Sequence, residues 1–326
     1  MTPLRLGIIG TNFISDRLAE AAALTDSVRI TAVISRQQKT ADTFAARHGI
    51  PHAYGDFTAA LASGTFDALY VATPNYTHRD ITLAALGAGY HVLCEKIIAD
   101  STADFLAMRQ AAEKAGLVLL EAMRPDFDPA VSALEAALPF VGRLRRVSLE
   151  YCQYSSRYGA FLRGEVLPAF DPSIGNSALA DIGIYPLHLA VRLFGAPADV
   201  HAADIRLDNG FSGMGTLTMT YPGGDKLVSV TYSKITESVS PSVFEGENGS
   251  LTLDKINAPT EIRLLRRGAG PQTVYAGNPG NNMIYELDAF AAMVRGELSP
   301  APYLDVTEAT MRVYDACAPC RNVENK

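Results

Sequence analysis

Side chains that could exchange protons with a substrate occur in two short segments of the chain. Lys96 lies in HVLCEKI, directly after an apolar run, and Asp181 and Tyr185 lie four residues apart in DIGIY. On a helix this spacing places both side chains on one face, so Asp181 could pair with Lys96 while Tyr185 faces a substrate. A lysine or tyrosine accepts a proton near neutral pH only where burial or neighbouring charges shift its pKa. Such a group can take the hydroxyl proton of an alcohol while a hydride leaves the carbon.

Each candidate side chain also has an ordinary structural explanation. Lys96 could be an exposed lysine at a strand end, and Tyr185 could be a half-buried core tyrosine. His188 could line the same pocket as Tyr185 or simply pack inside the fold. Tyr158, in the segment SSRY, could face the substrate or belong to a polar loop, and Arg124 could bind substrate or brace a hinge.

The elements that precede residue 123 alternate between apolar strands and amphipathic helices. Strands of this kind, joined by short helical connections, predict a doubly wound parallel sheet covered on both faces. Ligand sites of such sheets lie at the C-terminal ends of the strands, where Lys96 is found. The predicted strands are Leu4–Ile9, Val28–Ser35, Ala68–Thr73, His91–Glu95 and Leu117–Ala122.

The rest of the chain changes character. Segments such as RLRRVSLEYCQYS, GTLTMTY, KLVSVTYS, SVFEGENGSLTL and TEIRLLRRG alternate apolar and polar residues between turns, which predicts a large, mostly antiparallel open sheet. Pro186 predicts that the helix carrying Tyr185 starts late or is kinked. Two further helices are predicted at Met283–Arg295 and Val306–Ala318, and the last could pack back on the first domain. We therefore predict an α/β Rossmann domain, 1–122, followed by an α+β domain, 123–326.

The overall composition excludes several classes of protein. The formal net charge is -7 and no Lys/Arg-rich run is present, so nucleic acid and anionic membranes are not expected partners. No apolar run is long enough for a spanning helix, and the N-terminus does not read as a signal peptide. The 4 cysteines are too few for a disulfide framework. Cys317 and Cys320 form a C-x-x-C motif without a second cysteine pair, so no metal site is predicted. We expect a cytoplasmic protein with a small-molecule substrate.

The segment LGIIGTNFIS occupies the position of a dinucleotide-binding turn. Gly10 follows the first strand, but Asn12 and Ser15 stand where G-x-G-x-x-G has its second and third glycines. Gly10 is expected to make the turn, and Asn12 to take left-handed backbone geometry with its amide in reach of a phosphate. Ser15 is small enough for helix–strand packing.

The residues at the tip of the second strand bear on the choice of cofactor. An acidic residue there would bind the ribose 2′-hydroxyl of NAD, but this chain has Ser35 and Arg36. A guanidinium pairs with a 2′-phosphate that a carboxylate would repel. We therefore expect NADP in preference to NAD, although Arg36 could instead be a solvated loop charge.

Three further segments, taken with GIIGTNFIS, are similar to the motifs of one family. YVATPNYTH ends one predicted strand, HVLCEKI ends the next, and SALADIGIYPLHLAVRLFG lies in the second domain. Their order and spacing resemble the glucose–fructose oxidoreductase/inositol dehydrogenase (Gfo/Idh/MocA) family over nearly the whole chain. Tyr185, where much of the family has histidine, resembles the branch of glucose–fructose oxidoreductase, xylose dehydrogenase and dihydrodiol dehydrogenase. YCQYSSRYGAF and the loop to LPAFDP also look like the dihydrodiol dehydrogenases.

This resemblance implies hydride exchange between a nicotinamide and a carbinol carbon of a sugar, polyol or cyclic diol. It implies that Glu95 lies by the nicotinamide ribose, that Lys96 and Tyr185 form the acid/base pair, and that Asp181 orients them. The expected cofactor-binding residues are Gly10, Thr11, Asn12, Phe13, Ile14, Ser35, Arg36, Thr73, Pro74, Asn75, His78, Glu95 and Lys96. The expected substrate-binding residues are Lys96, Arg124, Tyr158, Asp181, Tyr185 and His188.

Ile97 is where the chain departs from the family pattern, which has proline after the lysine. A proline fixes that turn, often through a cis bond that other residues disfavour by about 2.5–4 kcal/mol, so Ile97 could leave Lys96 less firmly placed. The alternative to an enzyme is therefore a non-catalytic NADP-binding sensor or scaffold. The resemblance also implies a homodimer or a dimer of dimers, formed through the open sheet of the second domain.

Overall fold

A computed structural model describes residues 2–277 and 280–317 of the chain, which forms two compact units. The first unit comprises the chain up to Phe127 together with a later segment that ends at Asp305. The second unit begins at Asp128 and also includes residues 306–317. The boundary that the sequence predicts between residues 122 and 123 stays a prediction.

The first unit contains a six-stranded, wholly parallel sheet, in which five strands are those that the sequence predicts. The strand order β3-β2-β1-β4-β5-β6 reverses direction between β1 and β4, which places a ligand crevice at the C-terminal ends of these strands. The strands are β1 (Leu4–Ile9), β2 (Val28–Ile34), β3 (His52–Tyr54), β4 (Ala68–Val71), β5 (His91–Glu95) and β6 (Leu119–Ala122). The helices are α1 (Phe13–Ala22), α2 (Gln38–His48), α3 (Phe57–Ala62), α4 (His78–Gly87) and α5 (Thr102–Ala115).

A helix from late in the chain completes this unit. Its apolar side chains, among them Met283, Leu287 and Phe290, are fully buried in the same core as Leu6 and Ile8 of β1. This burial explains why the segment groups with the first unit although the second sheet precedes it in sequence. Labelled in chain order, this is α9 (Met283–Val294), which follows α6 (Pro129–Ala137), α7 (Tyr158–Phe161) and α8 (Ile184–Phe194) and precedes α10 (Ala301–Cys317).

The second unit is built on an eight-stranded sheet, ordered β14-β13-β12-β11-β7-β10-β9-β8. Only β7 and β10 pair in parallel, and the other neighbours are antiparallel, which confirms the predicted α+β architecture. The first strands of this sheet are β7 (Leu144–Cys152), β8 (Asp199–Arg206), β9 (Ser212–Thr220) and β10 (Leu227–Ser233). They are followed by β11 (Ser242–Gly246), β12 (Gly249–Leu253), β13 (Glu261–Arg266) and β14 (Gln272–Ala276).

Several elements differ from the sequence-based expectation. The short elements β3, α3 and β14 were not predicted, because three to six residues hold too few apolar positions to show a period. SVFEGENGSLTL forms two strands, β11 and β12, rather than one, and α10 begins at Ala301 rather than Val306. Cys317 ends α10, and Cys320, the second cysteine of the C-x-x-C motif, lies outside the described residues. Within the ranges that the structure describes, no helix has the length and apolarity that a membrane crossing requires.

Candidate active site

Gly10 forms the turn between β1 and α1, as predicted. Its φ angle is +110°, and a Cβ at this position would lie 2.2 Å from the carbonyl oxygen of Ala72. Its backbone N–H donates to the carbonyl oxygen of Ile34 at 3.0 Å. Only glycine combines this backbone conformation with so close an approach to β4.

Asn12 does not have the left-handed geometry expected for it. Its φ and ψ angles are -88° and -178°, and it is the N-cap of α1. The side-chain oxygen accepts from the backbone N–H groups of Ile14 and Ser15, while the side-chain amide donates to the Ala72 carbonyl at 2.9 Å. This bond uses one of the two N–H groups of the amide, and the predicted phosphate contact of Asn12 stays a prediction. Ser15 is fully buried, as its predicted packing role requires.

A cleft of about 630 Å³ opens at the C-terminal ends of β1, β2 and β4. Seven of the residues predicted to bind the cofactor line it: Gly10, Thr11, Asn12, Ser35, Arg36, Thr73 and Pro74. Gly55, Asp56 and Phe57 also line it, and sequence reasoning missed them because β3 and α3 were not predicted. A smaller cavity of about 290 Å³ shares Thr11 and is also lined by Lys39 and Arg47, and Arg47 pairs with Asp16 at 2.6 Å.

The other predicted cofactor residues have different surroundings. Phe13 is 72% exposed, and Ile14, Asn75, Glu95 and Lys96 do not line this cleft. His78 is fully buried, and its ring nitrogens lie 2.9 Å from the Thr73 carbonyl oxygen and 3.0 Å from the Ile97 carbonyl oxygen. Burial lowers the pKa of His78, and since a neutral imidazole carries one N–H, it donates to one of these carbonyls at a time. His78 therefore connects the Thr73 loop to the turn after Lys96.

That turn is held from both sides although it lacks the family's proline. The Lys96–Ile97 peptide bond is cis. The Ile97 side chain is buried, and the next backbone N–H, that of Ile98, donates to the carboxylate of Glu121 at 3.0 Å. Burial of the isoleucine side chain and these backbone contacts supply local anchoring at the position where the family has proline.

A buried polar group lies beside the end of β5. The Tyr70 hydroxyl donates to the carboxylate of Glu95, and burial, with Glu95 and Glu286 nearby, raises the pKa of Tyr70 well above its usual value. Glu286, on α9, is fully buried, and neither of its carboxyl oxygens has a hydrogen-bond partner among the residues that the structure describes. Burial, with Glu95 nearby, raises the pKa of Glu286 well above its usual range.

Asp181 and Tyr185 belong to the second unit. A π-helical turn, Leu179–Gly183, carries Asp181 and leads into α8, in which Tyr185 is the second residue. Pro186 falls in the first turn of α8, directly after this π-helical turn, so the helical path that leads to the proline is irregular rather than newly started. The Tyr185 ring is buried, with its centroid 5.8 Å from that of Tyr151 on β7.

Asp181 has a cationic partner that sequence reasoning missed. The ammonium group of Lys234, the residue directly after β10, lies 2.8 Å from Asp181 Oδ2. A lysine that ends an apolar strand was the available signal, but its distance in sequence from DIGIY concealed the pairing. Lys96 lies in the first unit, and its predicted pairing with Asp181 stays a prediction.

The three remaining candidates occupy structurally defined positions. His188 is buried, with Nδ1 3.4 Å from the Thr310 hydroxyl of α10. The Tyr158 ring stacks on that of Phe170 at a centroid distance of 5.5 Å. Arg124 donates to the side-chain oxygen of Asn282 at 3.4 Å. His188 thus makes the packing contact that was its ordinary explanation, whereas the Arg124 contact lies within the first unit. The hinge role of Arg124 and a substrate role for any of the three stay predictions.

Comparison with known proteins adds independent information about this chain. A sequence profile described as "Oxidoreductase family, NAD-binding Rossmann fold" matches residues 4–123. The chain is 40% identical over 292 residues to "scyllo-inositol 2-dehydrogenase (NADP(+)) IolU" of Bacillus subtilis (strain 168), covering 90% of this chain and 88% of that protein. It is 27% identical over 319 residues to "Trans-1,2-dihydrobenzene-1,2-diol dehydrogenase" of Mus musculus, covering 94% and 93%.

Solved structures with the same fold are also found. KijD10, a 3-ketoreductase from Actinomadura kijaniata crystallised with NADP and TDP-benzene, superposes with a TM-score of 0.85 at 23% identity, over 97% of both chains. Aldose-aldose oxidoreductase from Caulobacter crescentus superposes with a TM-score of 0.84 at 24% identity, over 96% of both chains. At such identities the likeness establishes the fold.

Proposed function

Because this chain belongs to the Gfo/Idh/MocA family of oxidoreductases, we propose that it is an NADP-dependent dehydrogenase or reductase. Its reaction is hydride transfer between the nicotinamide and a carbinol or carbonyl carbon of a sugar, polyol or cyclic diol. The observation that carries the proposal is the cleft at the ends of β1, β2 and β4, which gathers Gly10, Ser35, Arg36 and Thr73 from three separate segments.

The residues of this cleft fit a dinucleotide. Gly10 has no Cβ, and an added Cβ would collide with the Ala72 carbonyl oxygen. The backbone of this turn can therefore pass close to Ala72 and also approach a pyrophosphate closely. The N-terminus of α1 adds a favourable dipole for anions. Ser35 and Arg36 supply a hydroxyl and a guanidinium for an adenosine 2′-phosphate.

The preference for NADP is tested by replacing Arg36. In Arg36→Gln, NADPH affinity is expected to fall about 10- to 100-fold, since a charge-assisted hydrogen bond contributes roughly 1.5–3 kcal/mol, while NADH affinity changes little. Arg29→Gln removes the same charge from the exposed start of β2 and serves as the matched control. Fluorescence titration with both cofactors measures the effect. Equal losses for NADPH and NADH would show that Arg36 does not read the 2′-phosphate.

The chemical step is assigned to side chains at the end of β5 and the start of α8. Lys96 and Tyr185 are the acid/base pair that takes or returns the hydroxyl proton, and Asp181 orients them. The names of the relatives support an alcohol or carbonyl substrate, because they include a dehydrogenase of scyllo-inositol and one of a cyclic diol. The backbone N–H of Lys96 donates to Glu95 Oε2 at 3.2 Å, which fixes the base of the lysine side chain.

A substrate screen tests this assignment directly. The absorbance of NADPH is followed with a panel that includes scyllo-inositol, D-xylose, trans-dihydrobenzenediol and the corresponding carbonyl compounds. Lys96→Met and Tyr185→Phe are each expected to lower kcat about 10²- to 10⁴-fold, whereas Lys114→Met, on the exposed side of α5, leaves it unchanged. If the protein binds NADPH but oxidises or reduces no member of the panel, the non-catalytic NADP-binding sensor becomes the better proposal.

A further inference from the structure

Lys234 is a buried cation in the second unit. Its side chain is 5% exposed, and its ammonium group donates to the carbonyl oxygen of Ala169 at 2.7 Å. The ammonium also lies 4.8 Å from the ring centroid of Phe170 and 5.3 Å from that of Phe211. Both rings are fully buried, so water does not solvate the charge. Aromatic faces and one carbonyl stabilise a cation only in part, and Asp181, 2.8 Å away, provides the counter-charge.

The two partners of this ion pair differ in exposure. Lys234 is enclosed, whereas the Asp181 side chain is 46% exposed. A buried ammonium depends on its counter-ion, because it has no alternative solvation. A half-exposed carboxylate can be solvated without its partner. The pair therefore fixes the Asp181 carboxylate through Oδ2, while the Asp181 side chain as a whole stays half-exposed.

Lys234 also joins the other segments of the second unit that carry candidate site residues. Its backbone carbonyl accepts from the N–H of Ser155, at 2.9 Å, in the loop that leads to Tyr158. Tyr158 in turn stacks on Phe170, one of the two rings that enclose the ammonium. Lys234 is thus the point at which the Asp181 turn, the Tyr158 loop and the end of β10 meet.

We propose that Lys234 is a positioning residue for the acid/base site: it holds the Asp181 carboxylate ionised and in a fixed place one helical turn before Tyr185. This inference rests on the proposed function, in which Asp181 orients the acid/base pair. Lys234 does not react itself, since its ammonium is enclosed by Ala169, Phe170 and Phe211.

Other titratable groups of the second unit pack around the same turn. Tyr232 of β10 lies against Gly183, where an added Cβ would come within 2.7 Å of its ring. Tyr151 of β7 contacts Tyr185, and His188 follows on α8. Burial raises the pKa of Tyr232 above its usual value, so this phenol is neutral at working pH. A neutral Tyr232 phenol places no negative charge beside the Asp181–Lys234 pair.

Four variants test the proposal: Lys234→Met, Asp181→Asn, the double variant, and Lys226→Met as the matched control. Lys226 is also a partly buried lysine, 2.9 Å from a carboxylate oxygen of Asp225 and 5.1 Å from the ring centroid of Tyr221, but it lies at the other end of β10. Methionine suits the space between two phenylalanine rings, so Lys234→Met is expected to fold. Asp181→Asn is expected to lower Tm because it leaves a buried ammonium without a counter-charge, and the double variant is expected to recover that loss.

In turnover assays, Lys234→Met is expected to lower kcat about tenfold or more with unchanged affinity for NADPH. The double variant should be no slower than Asp181→Asn, because the two residues act as one unit. The acid-side limb of the pH profile should move to higher pH in Lys234→Met, since a carboxylate that loses a neighbouring cation protonates more readily. A kcat and pH profile that match those of Lys226→Met, or additive losses in the double variant, would overturn the proposal.

A measurement that needs no turnover separates this inference from the proposed function. The carboxyl carbon of Asp181 is followed by NMR in aspartate-labelled protein, with Asp181→Asn used for assignment. In Lys234→Met the signal should titrate at higher pH than in the wild type. An unchanged titration overturns the role of Lys234 even if the enzyme is active. A different result is also informative: the wild type turns over no substrate, but the Asp181 signal of Lys234→Met still titrates at higher pH. That result overturns the proposed function and leaves the effect of Lys234 on Asp181 intact.

Discussion

The side-chain amide of Asn12 donates a hydrogen bond of 2.9 Å to the backbone carbonyl oxygen of Ala72. The same side chain caps α1, so one residue ties the turn after β1 to the turn after β4. Both turns line the cleft assigned to the dinucleotide. Asn12, which stands at the position of the second glycine of the fingerprint, therefore links the turn after β1 to the turn after β4.

Replacing Asn12 should weaken both the helix and the cofactor site. Asn12→Ala removes the N-cap, which costs about 1 kcal/mol of unfolding free energy, and it releases the Ala72 turn. We expect NADPH affinity to fall about tenfold, since a hydrogen bond of this kind contributes about 1 kcal/mol or slightly more. Chemical denaturation and fluorescence titration measure the two effects.

Ser101→Ala is the matched control for this prediction. Ser101 is the N-cap of α5 and accepts from the Asp104 backbone N–H, but it does not line the cleft. It should lose similar stability and keep wild-type NADPH affinity. Equal cofactor affinity in the two variants would contradict the bridging role of Asn12.

Gly10 should tolerate no side chain. Gly10→Ala requires a strained φ and places a methyl group 2.2 Å from the Ala72 carbonyl oxygen, so we expect loss of NADPH binding and reduced stability. Gly49→Ala is the control, because Gly49 also has positive φ, +66°, with nothing within 4 Å of an added Cβ. That variant should lose only the backbone contribution, about 1–2 kcal/mol, and bind NADPH normally. Comparable affinities in the two variants would show that the close approach to Ala72 is unimportant.

Glu286 should make stability depend on pH. Burial raises its pKa in the folded state, so above the ordinary value of 4.5 the unfolded chain ionises while the folded protein keeps the proton. The contribution of Glu286 to the free energy of unfolding is therefore fully present below that pH. It falls as the pH rises, by up to about 1.4 kcal/mol per pH unit, until the folded-state pKa is reached. Glu286→Gln cannot ionise, and its stability relative to the wild type should increase from acidic to neutral pH. Urea denaturation across this range measures the difference.

Glu113→Gln provides the reference for a surface carboxylate. Glu113 is 63% exposed and pairs with Arg109 on α5, an arrangement that contributes about 0–1 kcal/mol. Its difference from the wild type should stay within that range over the same pH interval. A Glu286→Gln curve parallel to that of Glu113→Gln would mean that Glu286 ionises in the folded protein.

The sequence alone predicted five of the six strands of the first sheet and much of the cleft. Apolar runs such as Leu4–Ile9 and the helical periodicity between them are local patterns, and the chain confirms them as β1 and its neighbours. Gly10, Ser35 and Thr73 could be assigned to one site because the C-terminal ends of parallel strands meet at one edge. The α+β character of the second unit followed in the same way from strand alternation.

Only the tertiary structure decided the partners of individual polar side chains. The hydrogen bond from Asn12 to Ala72, the burial of Glu286 in the first unit and the pairing of Asp181 with Lys234 all join segments that are distant along the chain. Local propensity depends on neighbours in sequence, so it locates strands and helices. The partner of a charge depends on which elements fold into contact, and for Lys234 that contact forms only when the end of β10 meets the turn before α8.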